Sequence, residues 1–412
     1  MTEELINVNR DYLIWARKSI HFEKSFVCRQ LDIPLKTLEL WESTGNISFL
    51  DLKRLAELYK QNTLIFFCHD KPVYEDFPDF RFGELNIESF PEIFHELRKA
   101  RARREKLFDI DELWDGFELN EYVLKDYSVN TKAEAIDIVN NVFEINDLKR
   151  NSYSLEDWIN LFEEMGILVF QFFNISPNDL RGYAIYYDKL PIIGINVYES
   201  ESSKKFTLFH ELAHLLIKKE GLSNFNSFYI KNNLESMCNS IACELLVPSS
   251  EIEGFINPDN SNLNDDGFSS NLEGNNEDSN LNDDGFSSNL DGNNEEYSDL
   301  ITNTLIINLS KKYNVSKKLI IRKFIEMGLI DEKKFNSLLN IYLNDFELIS
   351  IENIKDDCVK SDLIIKKYGF YYIQTLLYAY FEEIIDDLDI LRNLKISSNI
   401  MKLLIRKVKE RS

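Results

Sequence analysis

Residues 206–217 read Phe-Thr-Leu-Phe-His-Glu-Leu-Ala-His-Leu-Leu-Ile, a nearly all-apolar run interrupted by His210, Glu211 and His214. A four-residue step turns an α-helix by about 400°, so His210 and His214 project from one side and offer two imidazole nitrogens to a single metal ion. Glu211 flanks them, placed to act on a water. Phe206, Phe209, Ala213, Leu216 and Ile217 recur at helical spacing, and Leu208, Leu212 and Leu215 fill much of the remaining circumference. The helix is therefore expected to be buried on every side. Polar groups so placed need partners, and a cation supplies one. Two core histidines satisfied by backbone groups are the plainer reading, but they leave Glu211 unexplained.

Two imidazoles do not hold zinc, so a third protein ligand is required, with a fourth position left for water. Glu235 opens the run Glu-Ser-Met-Cys-Asn-Ser-Ile-Ala-Cys-Glu-Leu-Leu-Val-Pro, in which Leu234, Cys238, Ile241, Ala242 and Leu245 keep a helical rhythm. Pro248 ends that helix by pushing Val247 out of helical geometry. Asn239, one turn after Glu235, is placed to fix the tautomer of a ligating histidine from its outer nitrogen. Glu244 competes as third ligand, but nine residues make about half a revolution, so it faces away from Glu235.

The phrases KKFTLFHELAHLL and LESMCNSIACELLVP, preceded by LRGYAIYYDKLPIIGINVYES, resemble the ImmA/IrrE family of zinc metallopeptidases. The resemblance places His210, His214 and Glu235 on the zinc ligands, one Zn2+ per chain, and Glu211 on the catalytic glutamate. Cys238 stands where that family has Ala, and Ile241 where it has Phe. It further implies a zincin-like core in a cytoplasmic endopeptidase whose substrate is a helix-turn-helix repressor, cleaved to relieve repression.

Residues 10–60 are similar to the repressor-type (XRE-like) helix-turn-helix, including Trp41, Glu42 and Gly45. Short amphipathic helices break near Asp32–Pro34 and at Gly45, with 35–41 in the recognition position. Residues 1–60 carry nine Lys or Arg and nine Asp or Glu. That is not a basic footprint, so DNA binding through residues 10–60 and a packing or substrate-docking role stay open together.

The chain has 412 residues, 44% of them apolar, and a net charge of -23, enough for two or three cores. No basic-then-apolar leader or twenty-residue apolar run is visible, so a soluble cytoplasmic protein is expected, with no membrane partner. Cys28, Cys68, Cys238, Cys243 and Cys358 form no CxxC pair and are expected to be reduced core thiols. The acidity is concentrated: residues 251–299 hold fourteen carboxylates and no Lys or Arg. Within them Ser261–Asp278 is repeated as Ser279–Glu296, an 18-residue unit rich in Asn, Asp, Ser and Gly that is expected to be disordered. Each copy imitates a calcium loop, yet position 1 is Asn and no helices flank it.

Basic residues Arg98, Lys99, Arg101, Arg103, Arg104 and Lys106 suggest a helix with a solvated face. Helix starts are expected at Thr131 and Ser154, and β-rich runs at 167–173, 183–188 and 192–197 predict a small sheet beside the metal helix, whose edge offers pairing to an extended substrate. Peptide hydrolysis also needs a donor for the developing oxyanion. The other histidines, His21, His69 and His95, lie far upstream, which leaves Arg181, Tyr183 and Tyr198 as candidates.

The expected fold class is α+β and mostly helical. It comprises a helix-turn-helix domain at 1–75, a helical linker at 76–120 and a metallopeptidase core at 121–251. An acidic repeat insertion at 252–298 and a helical C-terminal region at 299–412 complete it. Rival functions are a DNA-binding regulator with a sensory, non-proteolytic peptidase fold, and an antitoxin-like protein that acts by binding its partner. A general base between two ligands favours the enzyme.

Overall fold

The computed structural model describes residues 4–70, 90–127, 129–144, 147–218, 221–223, 233–256, 301–341 and 355–411. The repeat 261–296 lies outside them. Among the described residues the chain is mostly helical with two small sheets, and it groups into two compact units, Met1–Ala242 with Asp345–Ser412, and Cys243–Asn344.

The first unit begins with β1 (Leu5–Asn7), α1 (Arg10–Lys18), α2 (Lys24–Leu31), α3 (Leu35–Thr44), β2 (Asn46–Ser48) and α4 (Phe49–Leu58). Strands β1 and β2 pair antiparallel. Asp32 ends α2 and Gly45 ends α3, both in left-handed conformation. Arg17 is buried and donates from Nε to Glu42 Oε1 at 2.6 Å, tying α1 to α3. Among the described residues α3 exposes Leu35, Lys36, Glu39, Leu40, Ser43 and Thr44.

Helix α5 (Phe90–Leu113) carries the basic cluster, and its arginines are not a solvated face. Arg98 donates to the carbonyls of Tyr59 and Lys60 at 3.3 and 3.2 Å. Arg103 is buried, pairs with Glu96 at 3.4 Å and stacks over Phe170 and Tyr368. Arg104 lies over Tyr187 and donates to the carbonyl of Lys189 at 2.9 Å. Long side chains with planar heads can cover apolar surface and satisfy carbonyls at once, so they staple the helix to its neighbours.

The next helices are α6 (Lys132–Val142), α7 (Asp147–Ser152) and α8 (Leu155–Glu164). Thr131 with Glu134 and Ser154 with Asp157 form capping boxes at α6 and α8, as their spacing suggests. Then come β3 (Leu168–Phe172), β4 (Gly182–Ile185), β5 (Ile192–Asn196), α9 (Glu201–Leu216), β6 (Gly221–Ser223) and α10 (Asn233–Leu246). The sheet order is β3-β5-β4-β6, with β3 parallel to β5 and the other pairs antiparallel. β3, β4 and β5 are buried throughout because α9 packs against the sheet and further helices pack around it.

In the second unit, α11 (Ser249–Ile256) is followed by α12 (Asn303–Lys312), α13 (Lys317–Glu326) and α14 (Glu332–Ile341). The chain returns to the first unit with α15 (Asp357–Tyr368), α16 (Phe370–Phe381), α17 (Asp387–Leu394) and α18 (Ser398–Arg411). α15 packs on β3, so grouping by contact places these terminal helices with the core rather than in a separate region. The buried Glu163 carboxylate, at the end of α8, accepts from Tyr371 N at 2.9 Å and so serves the start of α16 in place of a capping side chain. All five cysteines are free, but Cys68 and Cys358 are exposed and Cys28 is half-buried; only Cys238 and Cys243 are core thiols. Among the described residues no helix is long and apolar enough to cross a membrane.

Candidate metal centre

Helix α9 starts at Ser200, whose hydroxyl accepts from Ser203 N at 3.2 Å, and Lys204–Leu216 are buried without interruption. Its depth comes from packing on two sides. The sheet lies against one, while α8 meets another through Trp158 and Phe162, whose rings sit 5.0 and 5.5 Å edge-on to Phe209. Leu208, Leu212 and Leu215 are buried along the rod.

Within it His210 is 2% exposed, and Glu211 and His214 are fully buried. Their helical spacing sets the two Nε2 atoms 3.2 Å apart. Glu235, in the first turn of α10, spans them: Oε2 is 3.3 Å from His210 Nε2, and Oε1 is 3.4 Å from His214 Nε2. A tetrahedral ion at about 2.0–2.1 Å from two nitrogens requires them to be about 3.3 Å apart, so the donor set fits zinc in kind and in spacing. His210, His214 and Glu235 are the group of side chains able to hold a metal ion among the described residues.

The side chains of the pocket also act on one another's protonation. Burial works against charge on Glu235, but hydrogen bonds from His210 and His214 outweigh it and hold the carboxyl below the usual range. Burial likewise opposes a charged His214, yet the Cys238 thiol, Glu235 and Glu211 raise its affinity for a proton well above the ordinary histidine value. Glu235 and the two imidazoles thus stabilise one another's polar forms inside a buried site.

Glu244, the rival third ligand, is already satisfied in the second unit. It accepts from Ser249 N at 2.8 Å and Ser249 Oγ at 2.7 Å, and pairs with the buried Lys323. Asn239 is buried, 2% exposed, one turn beyond Glu235. Cys238, which helical spacing marks only as an apolar filler, is a hydrogen-bonding neighbour of His214, and burial pushes its thiol up.

Of the three oxyanion candidates, Tyr183 lies in β4, while Arg181 just precedes β4 and Tyr198 follows β5. Arg181 Nε lies 3.4 Å from Glu199 Oε1. The Tyr198 hydroxyl accepts from Asn174 N at 3.2 Å, and its ring meets Phe173 edge-on. Tyr183 is turned to the opposite face of the sheet from α9, because side chains alternate along β4 and its neighbour Gly182 faces the helix. The Tyr183 ring stacks on Phe172 and lies over Gly194, its cross-strand partner, where a Cβ would fall 2.1 Å from Tyr183 Cε1. Sequence reasoning passed over Gly182 itself, although a glycine inside a buried strand is a signal of close approach.

Residues 162–271 match the Peptidase_M78 family model, described as IrrE N-terminal-like domain. The matched segment contains β3 to β6, α9, Glu235 and the whole of α10, and it supports a metallopeptidase-family function. No curated protein and no solved structure matches the chain.

Proposed function

We propose that the protein is a zinc-dependent endopeptidase of the ImmA/IrrE kind, with a zincin-like core. Its proposed substrate is a helix-turn-helix transcriptional repressor, or a similar regulatory protein of the cytoplasm. The observation that carries the reading is the convergence of His210, His214 and Glu235 within hydrogen-bond range of one another, with Glu211 between the two histidines on the same buried helix.

His210, His214 and Glu235 would hold the ion. When bound there, zinc supplies Lewis acidity that polarises a scissile carbonyl and makes a water more acidic. Glu211 would take a proton from an attacking water and return it to the leaving amide nitrogen. The dry walls of α9 strengthen these interactions by excluding bulk solvent. The test is Glu211→Gln on zinc-loaded protein with a repressor as substrate. Cleavage should fall by roughly 100-fold or more while one zinc per chain is retained; unimpaired turnover would refute the role of Glu211.

The amino-terminal helices α2 and α3 fit a helix-turn-helix, and we assign them to docking a protein substrate rather than reading DNA. α3 exposes Leu35 and Leu40 with Lys36 as its one cation, and Arg17, Lys24, Arg54 and Lys60 are engaged in ion pairs. A titration with duplex DNA checks this. Affinity that falls steeply with salt would favour the DNA-binding regulator instead.

A further inference from the structure

We infer that Gly182 is a positioning residue for Glu211: the missing side chain on β4 makes the space in which the Glu211 carboxylate rests. This deepens the peptidase reading and rests on it. A Cβ on Gly182 would fall 2.7 Å from Glu211 Oε1, 3.1 Å from Glu211 Cγ and 2.5 Å from Thr207 Cγ2. Glu211 therefore lies directly on the strand backbone, and Thr207, one helical turn earlier, lies beside it on the same seam.

Neither side of the seam is free to retreat. On the sheet side Gly182 pairs with Ile195 in β5 and Ser223 in β6, so the strand is held from both flanks. The fully buried Asn196 pins the approach to β4, with its N donating to Arg181 O at 2.8 Å and its Nδ2 to Leu180 O at 2.8 Å. On the helix side Thr207 Oγ1 donates to Glu199 Oε2 at 3.0 Å, and Glu199 pairs with Arg181. That bracket fixes the Thr207 rotamer and aims its methyl at Gly182. Lys205 Nζ donates to Tyr153 O at 2.8 Å, a second anchor for the same turn. An added methyl at 182 must then be absorbed by the groups that can rotate, and the Glu211 side chain is the one with reach.

Arg181 steadies Glu199 and, through it, Thr207. The physical logic is that a general base must sit within a few tenths of an ångström of its productive place. A backbone without a Cβ allows the closest and stiffest support.

Two measurements test the inference on the full chain. The first is a stability cycle read by thermal melting. Gly182→Ala should lower the melting temperature in the wild-type background, and much less when Thr207→Ser and Glu211→Ala have made room. An equal loss in both backgrounds overturns the inference, and the triple variant remains measurable if Gly182→Ala alone does not fold. The second compares Gly182→Ala/Thr207→Ser with Thr207→Ser alone on a substrate that the wild type cleaves. The expected result is one zinc per chain in both, KM unchanged and kcat lower by roughly 100-fold. A kcat within a factor of about two overturns it, since a lost general base costs far more than that. If wild-type protein loaded with zinc cleaves nothing, the peptidase reading fails, and the melting cycle alone then decides the seam.

Discussion

Two carboxylates on helix α10 meet opposite environments. Glu235 faces two imidazole rings and carries the electrostatic pull of both, whereas Glu244 has a lysine of its own, the buried Lys323, together with the Ser249 amide and hydroxyl. Both are held below the ordinary carboxylate range after burial is overcome, Glu244 to about 2. The difference is what completes each. Glu244 is neutralised within the protein, while the charge on Glu235 is shared only with rings that are uncharged in the form that binds metal.

The largest expected effect separates the two directly. Glu235→Gln should weaken zinc binding by more than about 100-fold, beyond the loss from removing an outer partner of a ligand, and should abolish cleavage. Glu244→Gln should leave one zinc per chain, as read by metal analysis after dialysis.

Next comes the anchor. Lys323→Met leaves the Glu244 charge without its partner and should cost about 3 kcal/mol in denaturant unfolding, whereas Lys323→Met/Glu244→Leu should recover most of that. Recovery failing in the double variant would show that Lys323 supports the unit by some other means.

Removing the metal gives a smaller change. An ion present at 100 times its dissociation constant stabilises the folded chain by about 2.7 kcal/mol, so chelation should lower the melting temperature of wild type but not of Glu235→Gln.

A pH-dependent effect concerns Glu163. Burial pushes its carboxyl up to about 8, against the pull of the Tyr371, Phe370 and Val169 amides. The folded state then holds a proton that the unfolded chain releases above about 4.3, so stability from this group is present at low pH and declines as pH rises toward 8. Glu163→Gln keeps an acceptor for Tyr371 N without the titration and should flatten the melting temperature across that window.

How much of this was legible in the chain depends on whether the signal is local. The spacing of His210, Glu211 and His214 on an apolar run gives both the helix and the shared direction of two imidazoles, since 3.6 residues per turn is a property of the backbone. The capping boxes at Thr131 and Ser154 lie within four residues, and the runs at β3, β4 and β5 are short and rich in apolar β-formers, so these too could be read directly. The cluster Arg98–Arg104 was misread as a solvated face because its partners, Tyr59, Phe170, Tyr187 and Tyr368, come from distant segments. Cys68 and Cys358 were misplaced for the same reason: a cysteine does not reveal its own burial.

The sequence by itself therefore determined that His210 and His214 share one face of α9 with Glu211 beside them, because that follows from helical periodicity over a few residues. Only the tertiary structure decided that Glu235 joins the histidines while Glu244 takes Lys323, that Tyr183 turns away from the metal helix, and that Gly182 lies under Glu211. Those outcomes depend on which surfaces meet across tens of residues of chain, and close approach between a strand and a helix leaves no periodic trace along either one.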